Sequence, residues 1–178
     1  ILLINEHMII QDPNNYWEQL ERLEKLIRAS EFKAGVIFSF HSLILGLFAD
    51  RLDYFEPIFE NSWLFTICAV CWLVSVLVSI YYCFRCFMPR MEMHYEDNVF
   101  FFRDAVKAFG TADEYVKRLM EICENEQELF TQLSAQIHAE SKIIDEKFGS
   151  VRKSLRFFAL SFIFAMASLI IGIIQIIS

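Results

Sequence analysis

Formal charge is missing from three stretches of the chain. Ser62–Phe84 carries none across 23 residues, Phe157–Ser178 none across 22, and the apolar run Ala34–Ala49 none across 16. About 20 apolar residues cross a bilayer comfortably and about 17 is the lower limit, so the first stretch is short and the other two are long enough. In a chain of 178 residues, two such helices could not be buried by protein on all sides. The pattern predicts three membrane spans, Ala34–Ala49, Trp63–Phe84 and Phe157–Ile177. The first lies one small connection from the second and reads as the other arm of a helical hairpin. Lys33 and Arg51 extend it at its ends, because long cationic side chains snorkel to the interface.

Between the spans the apolar spacing is helical. Asp12-Pro13 is a helix start, with Asp as the cap and Pro at the first helical position. Trp17, Leu20, Leu23 and Ile27 then recur at three- and four-residue steps, while Glu18, Glu21, Arg22, Lys25 and Arg28 cover the other face. No breaker follows before Ala34, so one continuous helix is expected from about Asn14 through the first span. Met88-Pro89-Arg90 ends the second membrane helix. Tyr95–Phe109 predicts a new helix with Val99, Phe100, Phe101, Phe102 and Val106 as its apolar cluster, stopped by Gly110. Thr111-Ala112-Asp113-Glu114 is a capping box that opens another, with Tyr115, Leu119, Ile122 and Cys123 as its inner stripe. Glu124-Asn125-Glu126 is expected to bend it. Leu129, Leu133, Ile137, Ile144, Phe148, Val151 and Leu155 mark a last helix running into the third span, with Gly149 its weak point. The expected fold is all-α, with three transmembrane helices continued by a cytoplasmic helical bundle or stalk. Its segments are a cytoplasmic helix over 14–33, a span over 34–49, a periplasmic loop over 50–61, a span over 62–87, a cytoplasmic helical region over 88–155 and a final span over 156–177.

Composition supports long helices. The chain is 56% hydrophobic with 19 Phe, and its 5 Gly and 3 Pro are too few for the turns of a sandwich or barrel. A net charge of -7 argues against a nucleic-acid partner, which needs a basic face. Charge placement sets the orientation. Arg22, Lys25, Arg28 and Lys33 precede the first span, 11 of the 16 basic residues lie between Arg85 and Arg156, and Asp50–Asn61 holds only Arg51 among Asp50, Asp53, Glu56 and Glu60. The positive-inside rule then puts the N-terminal and central regions in the cytoplasm and the acidic loop and C-terminus outside. No basic region precedes a leading apolar segment with a cleavage site, so no signal peptide is expected.

Candidate chemistry is sparse. Cys68-Ala-Val-Cys71 and Cys83-Phe-Arg-Cys86 have the spacing of a four-cysteine zinc site. Both pairs fall on one helix, however, and 12 residues of helix separate Cys71 from Cys83 by roughly 18 Å. The reading is small, polarizable residues on a membrane helix, with no metal. His41, with Ser39 and Ser42, lies inside the first span, where polar groups are costly and face the bundle. These three residues either line a pore or gate, or His41 is a neutral ring hydrogen-bonded to a neighbouring helix. Arg103, Gln136, His138, Ser141, Lys142 and Lys147 form either a solvated face or a site for an anionic ligand whose phosphate meets the cations. No Walker loop, Rossmann glycine pattern, GxSxG or HExxH is present, so no enzyme is expected, and three spans are too few for an inverted-repeat transporter.

Three blocks carry a family resemblance: EFKAGVIFSFHSLILGL at 31–47, NVFFFRDAVKAF at 98–109, and LSAQIHAESKIIDEKFGSVRKSLRFF at 133–158. With the order of the spans, the chain resembles the transmembrane effector of Pycsar anti-phage systems, within the wider SLATT-like class of membrane effectors found beside nucleotide second-messenger synthases. Lys33, Gly35, Asn98, Gln136, His138, Ser141 and Lys147 stand at positions the resemblance shares. Arg103 stands where it places a small residue, and His41 where it places Asn. The resemblance implies a bacterial inner-membrane effector, triggered by cyclic UMP or cyclic CMP to impair the membrane and abort infection. Its ligand-binding residues would be Arg103, Gln136, His138, Ser141 and Lys147, and its partners the lipid bilayer and further copies of itself. The alternative is a membrane anchor or channel-forming subunit whose sensing domain lies outside this sequence.

Overall fold

The computed structural model describes residues 12–88 and 97–177, and every regular element among them is a helix. In chain order these are α1 (Pro13–Ala49), α2 (Leu52–Asn61), α3 (Trp63–Phe87), α4 (Phe102–Lys107), α5 (Ala112–Glu124) and α6 (Glu126–Ile177). Three of them, α1, α3 and α6, are long and apolar enough to cross a membrane. Over 18-residue stretches of these helices the mean hydropathy reaches 1.7, 2.4 and 2.6, and the lowest value belongs to the helix with the short apolar run. The chain divides into two compact units. One comprises the described parts of Ile1–Lys25 and Glu92–Lys142, the other those of Leu26–Met91 and Ile143–Ser178.

Local sequence explains most helix ends. Asp12 Oδ1 accepts a hydrogen bond from the Asn14 N–H at 2.9 Å, and Pro13 opens α1. α1 then runs unbroken to Ala49. The segment read as a loop over 50–61 is largely helical. Phe55, Ile58 and Phe59 line one side of α2, where Phe55 stacks on Phe48 at 5.1 Å and Phe59 meets Phe65 edge-on at 4.9 Å. Asp53, Glu56 and Glu60 are exposed, so this short amphipathic helix has somewhere to bury its apolar side. Ser62 caps α3 by accepting from the Phe65 N–H, and α3 stops at Phe87, two residues before Pro89.

The helix expected over Tyr95–Phe109 forms only as α4, and the start of that range lies outside the described residues. Asn98 is the physical reason. Its Oδ1 accepts from the Phe100 N–H at 2.9 Å, and its Nδ2 donates to the Gln132 carbonyl at 2.8 Å. Such side-chain bonds to backbone compete with helix formation. Gly110 has φ +56°, a left-handed conformation that glycine adopts without a Cβ penalty. The capping box of α5 is complete, with Thr111 Oγ1 accepting from the Glu114 N–H and Glu114 Oε2 from the Thr111 N–H. At Asn125 the chain breaks rather than bends; its backbone is extended between α5 and α6, and its Oδ1 accepts from the Glu128 N–H. α6 passes through Gly149 without interruption.

The first unit buries Leu20, Leu23, Val99, Ile122, Phe130, Leu133 and Ala139. Tyr16 packs on Phe130 at 5.1 Å and Trp17 on Phe100 at 5.5 Å, so the apolar stripe of early α1 does serve this core. Val106 does not join it and is 75% exposed.

The second unit is packed by small residues at regular intervals. Of the buried positions of α3, Phe65, Ala69, Trp72, Val76, Ser79, Cys83 and Cys86 follow steps of four and three that alternate as in a coiled-coil seam, and Ser75 is buried beside them. α1 supplies Ser30, Ala34, Ile37 and His41, and α6 supplies Lys147, Val151, Ser154 and Ser161, at compatible steps. In lipid the hydrophobic effect does not drive helices together, so close approach and interhelical hydrogen bonds carry the association.

Candidate functional site

Several polar side chains of the second unit, Ser79, Lys147 and Ser154 among them, are buried along this seam. Ser79 Oγ donates to the Ser154 carbonyl at 2.9 Å, and Ser154 Oγ donates to the Ser79 carbonyl at 3.0 Å. The two hydroxyl oxygens are themselves 3.0 Å apart, and Cys83 Sγ is 3.0 Å from Ser154 Oγ. Side chains this small let the backbones of α3 and α6 come within one hydrogen bond of each other. The two cysteine pairs thus sit on α3 as helix residues, and Cys83 and Cys86 are fully buried parts of the packing.

Further along the seam, Lys147 of α6 is 3% exposed. Its Nζ donates to Glu31 Oε1 of α1 at 2.7 Å and to the Cys86 carbonyl of α3 at 2.8 Å. Cys86 also has the Ser30 hydroxyl beside its thiol. One ammonium therefore ties the three long helices of the unit, α1, α3 and α6. Lys33, by contrast, is exposed and lies 5.7 Å over the Phe148 ring, as a snorkelling lysine should.

His41 is 1% exposed. Its ring meets Phe158 of α6 edge-on at 5.1 Å, so it faces another helix, as the cost of a polar group in a span requires. The interhelical hydrogen bond expected of a bland histidine is missing: neither Nδ1 nor Nε2 has a partner. Ser39 and Ser42 do not join it. Both are exposed, and their hydroxyls donate to the Gly35 and Phe38 carbonyls of their own helix.

Of the five residues that the resemblance implies as ligand-binding, four fall in the first unit. Arg103 and His138 are exposed. Ser141 donates to the Ile137 carbonyl at 2.7 Å, and Gln136 is buried, its Nε2 donating to Glu140 Oε1 at 2.9 Å. Burial pushes the Glu140 carboxyl up, partly offset by that bond and reinforced by the charge of Glu24. Lys147, the fifth, belongs to the second unit and is engaged there. Sequence reasoning missed Glu31, Ser79 and Ser154. The readable signal was small polar residues recurring at seam spacing within or beside charge-free stretches.

A family model, that of the Pycsar effector protein domain, matches residues 15–174. No curated protein and no solved structure matches the chain. The matched range takes in α2 to α5 whole, all of α1 but its first two residues and all of α6 but its last three, with the buried lysine, the serine pair and His41. The chain belongs to the Pycsar effector family.

Proposed function

We propose that the protein is a triggered effector of the bacterial inner membrane. A cyclic nucleotide, cyclic UMP or cyclic CMP, shifts it from a resting to an active form that impairs membrane integrity and aborts infection. Family membership over 15–174 carries this reading. Three helices able to span a membrane, with costly polar groups kept inside their bundle, support it. The protein acts without chemistry of its own, as a shift between two assemblies. A ligand drives such a shift only by binding the active form better. Three spans cannot easily enclose a conducting path, so the acting unit is a homo-oligomer, at least a dimer.

The full chain in dye-loaded liposomes, given a panel of cyclic nucleotides, tests this. Leakage with a cyclic pyrimidine and not with the others is expected. Arg103→Ala should weaken triggering by roughly tenfold to over a hundredfold if Arg103 meets the phosphate, since such a contact contributes about 1.5–3 kcal/mol. Inserted protein that stays tight with every nucleotide would move sensing to a domain outside this sequence. One observation favours that second reading: Gln136 already engages its amide nitrogen with Glu140, and Ser141 spends its one hydroxyl donor on the Ile137 carbonyl.

Orientation has its own test. Asp50–Asn61 holds one of the 16 basic residues, and Arg51 is itself 3.5 Å from Asp50. A cysteine at Asp53 should react with an impermeant thiol reagent from the periplasm and one at Lys117 should not. The reverse pattern would overturn the topology.

A further inference from the structure

Lys147 is a cation held out of water where the three long helices of the second unit meet. Its side chain is 4% exposed, whereas that of Glu31, its counter-ion, is 39% exposed. The asymmetry decides how the pair behaves. A buried ammonium is costly unless paired and hydrogen-bonded. Glu31 can be solvated without Lys147; Lys147, as placed, has no water to replace Glu31. Its other partner is the Cys86 carbonyl, one residue from the end of α3, where unsatisfied carbonyls carry partial negative charge. Lys147 thus closes the end of α3 with α6 and α1. The two helices that supply the charges, α1 and α6, are also the two elements with residues in both units.

We propose that Lys147 is a loaded latch. In the resting form its ammonium is desolvated and held by Glu31 and the Cys86 carbonyl, and the active form releases it to water. The proposal rests on the reading of the protein as a triggered membrane effector, and it adds the element that sets the threshold. The two members of the pair then act with opposite sign. Loss of the Glu31 carboxylate strands the ammonium in the resting form alone, which favours release. Loss of the ammonium removes the drive to release, while Glu31 keeps its access to water. A merely stabilising salt bridge would give both losses the same sign.

The test uses the full chain in liposomes of phosphatidylethanolamine and phosphatidylglycerol, with no nucleotide added. Two readouts are taken: dye leakage, and maleimide labelling of Cys86 with Cys68, Cys71, Cys83 and Cys123 replaced by serine. Cys86 is fully buried beneath the latch, so its labelling reports opening whether or not the membrane leaks. Glu31→Gln should raise Cys86 labelling and leakage at least about tenfold, the scale of one lost charge-assisted contact. Lys147→Met should label no faster than wild type. The Glu31→Gln/Lys147→Met double variant should behave like Lys147→Met, and it also shows that the single Glu31 variant opens through the stranded charge rather than by misfolding. Faster labelling in Lys147→Met, or wild-type labelling in Glu31→Gln, would overturn the latch. Faster labelling in Glu31→Gln without leakage would uphold the latch and count against membrane damage as the protein's action.

Discussion

Ser154→Leu should loosen α3 from α6 far more than Ser154→Ala does. Ser154 is fully buried, and its Oγ lies 3.0 Å from the Ser79 carbonyl, the Ser79 hydroxyl and the Cys83 sulfur. Leucine has no room there unless the helices part. Overpacking costs about 1–3 kcal/mol and occasionally more. The lost interhelical bonds add roughly 0.6 kcal/mol each at membrane depth. Alanine loses the bonds but keeps the close approach, so it should cost about 1 kcal/mol at most. Burying the larger apolar side chain returns little, because lipid tails already offer leucine an equally apolar setting. Reversible unfolding in mixed detergent micelles reads both values. Equal costs for the two substitutions would mean that the hydrogen bonds, not the small volume, hold α3 against α6.

The seam shows what the sequence could and could not disclose. The existence of three spans was legible, because an uncharged run of 23 residues has few other uses in a short chain. The continuity of α1 and α6 was legible too, since neither contains proline past its first residue. Periodicity carries such one-dimensional facts well. It says less where a single side chain overrides it: Asn98, by bonding Phe100 N–H and the Gln132 carbonyl, cancels the helix that the neighbouring phenylalanines suggest. It says nothing of which partner a residue meets. Ser79 and Ser154 are 75 positions apart, and Lys147 and Glu31 are 116 apart. Lys147 stood out as a cation on a polar face, and its engagement by Glu31 and Cys86 had no sequence signature. His41 is intermediate. That it turns inward followed from the cost of a polar ring in lipid; that it would find no hydrogen bond did not.

That unmet histidine sets the remaining large expectation. His41→Leu should insert and fold at least as well as the wild type, yet damage the membrane less when triggered. In the resting bundle the ring packs against Phe158 with one donor and one acceptor left without partners. A buried polar group left unsatisfied costs about 1–3 kcal/mol. Leucine fills a similar space without that cost, so the resting form gains most of it. If the active form brings position 41 into contact with water, histidine is at home there and leucine is not, and the bias grows further toward rest. Each 1.4 kcal/mol is a factor of ten in the population of the active form, so a loss of about fivefold to a hundredfold in triggered leakage follows. His41→Asn should recover activity, because it restores a polar side chain that gains from hydration. Leakage and killing by His41→Leu are to be compared with wild type at matched membrane levels. A fully toxic His41→Leu protein would show that the ring never meets water, and that its unpaired nitrogens are only a tolerated expense of packing against Phe158.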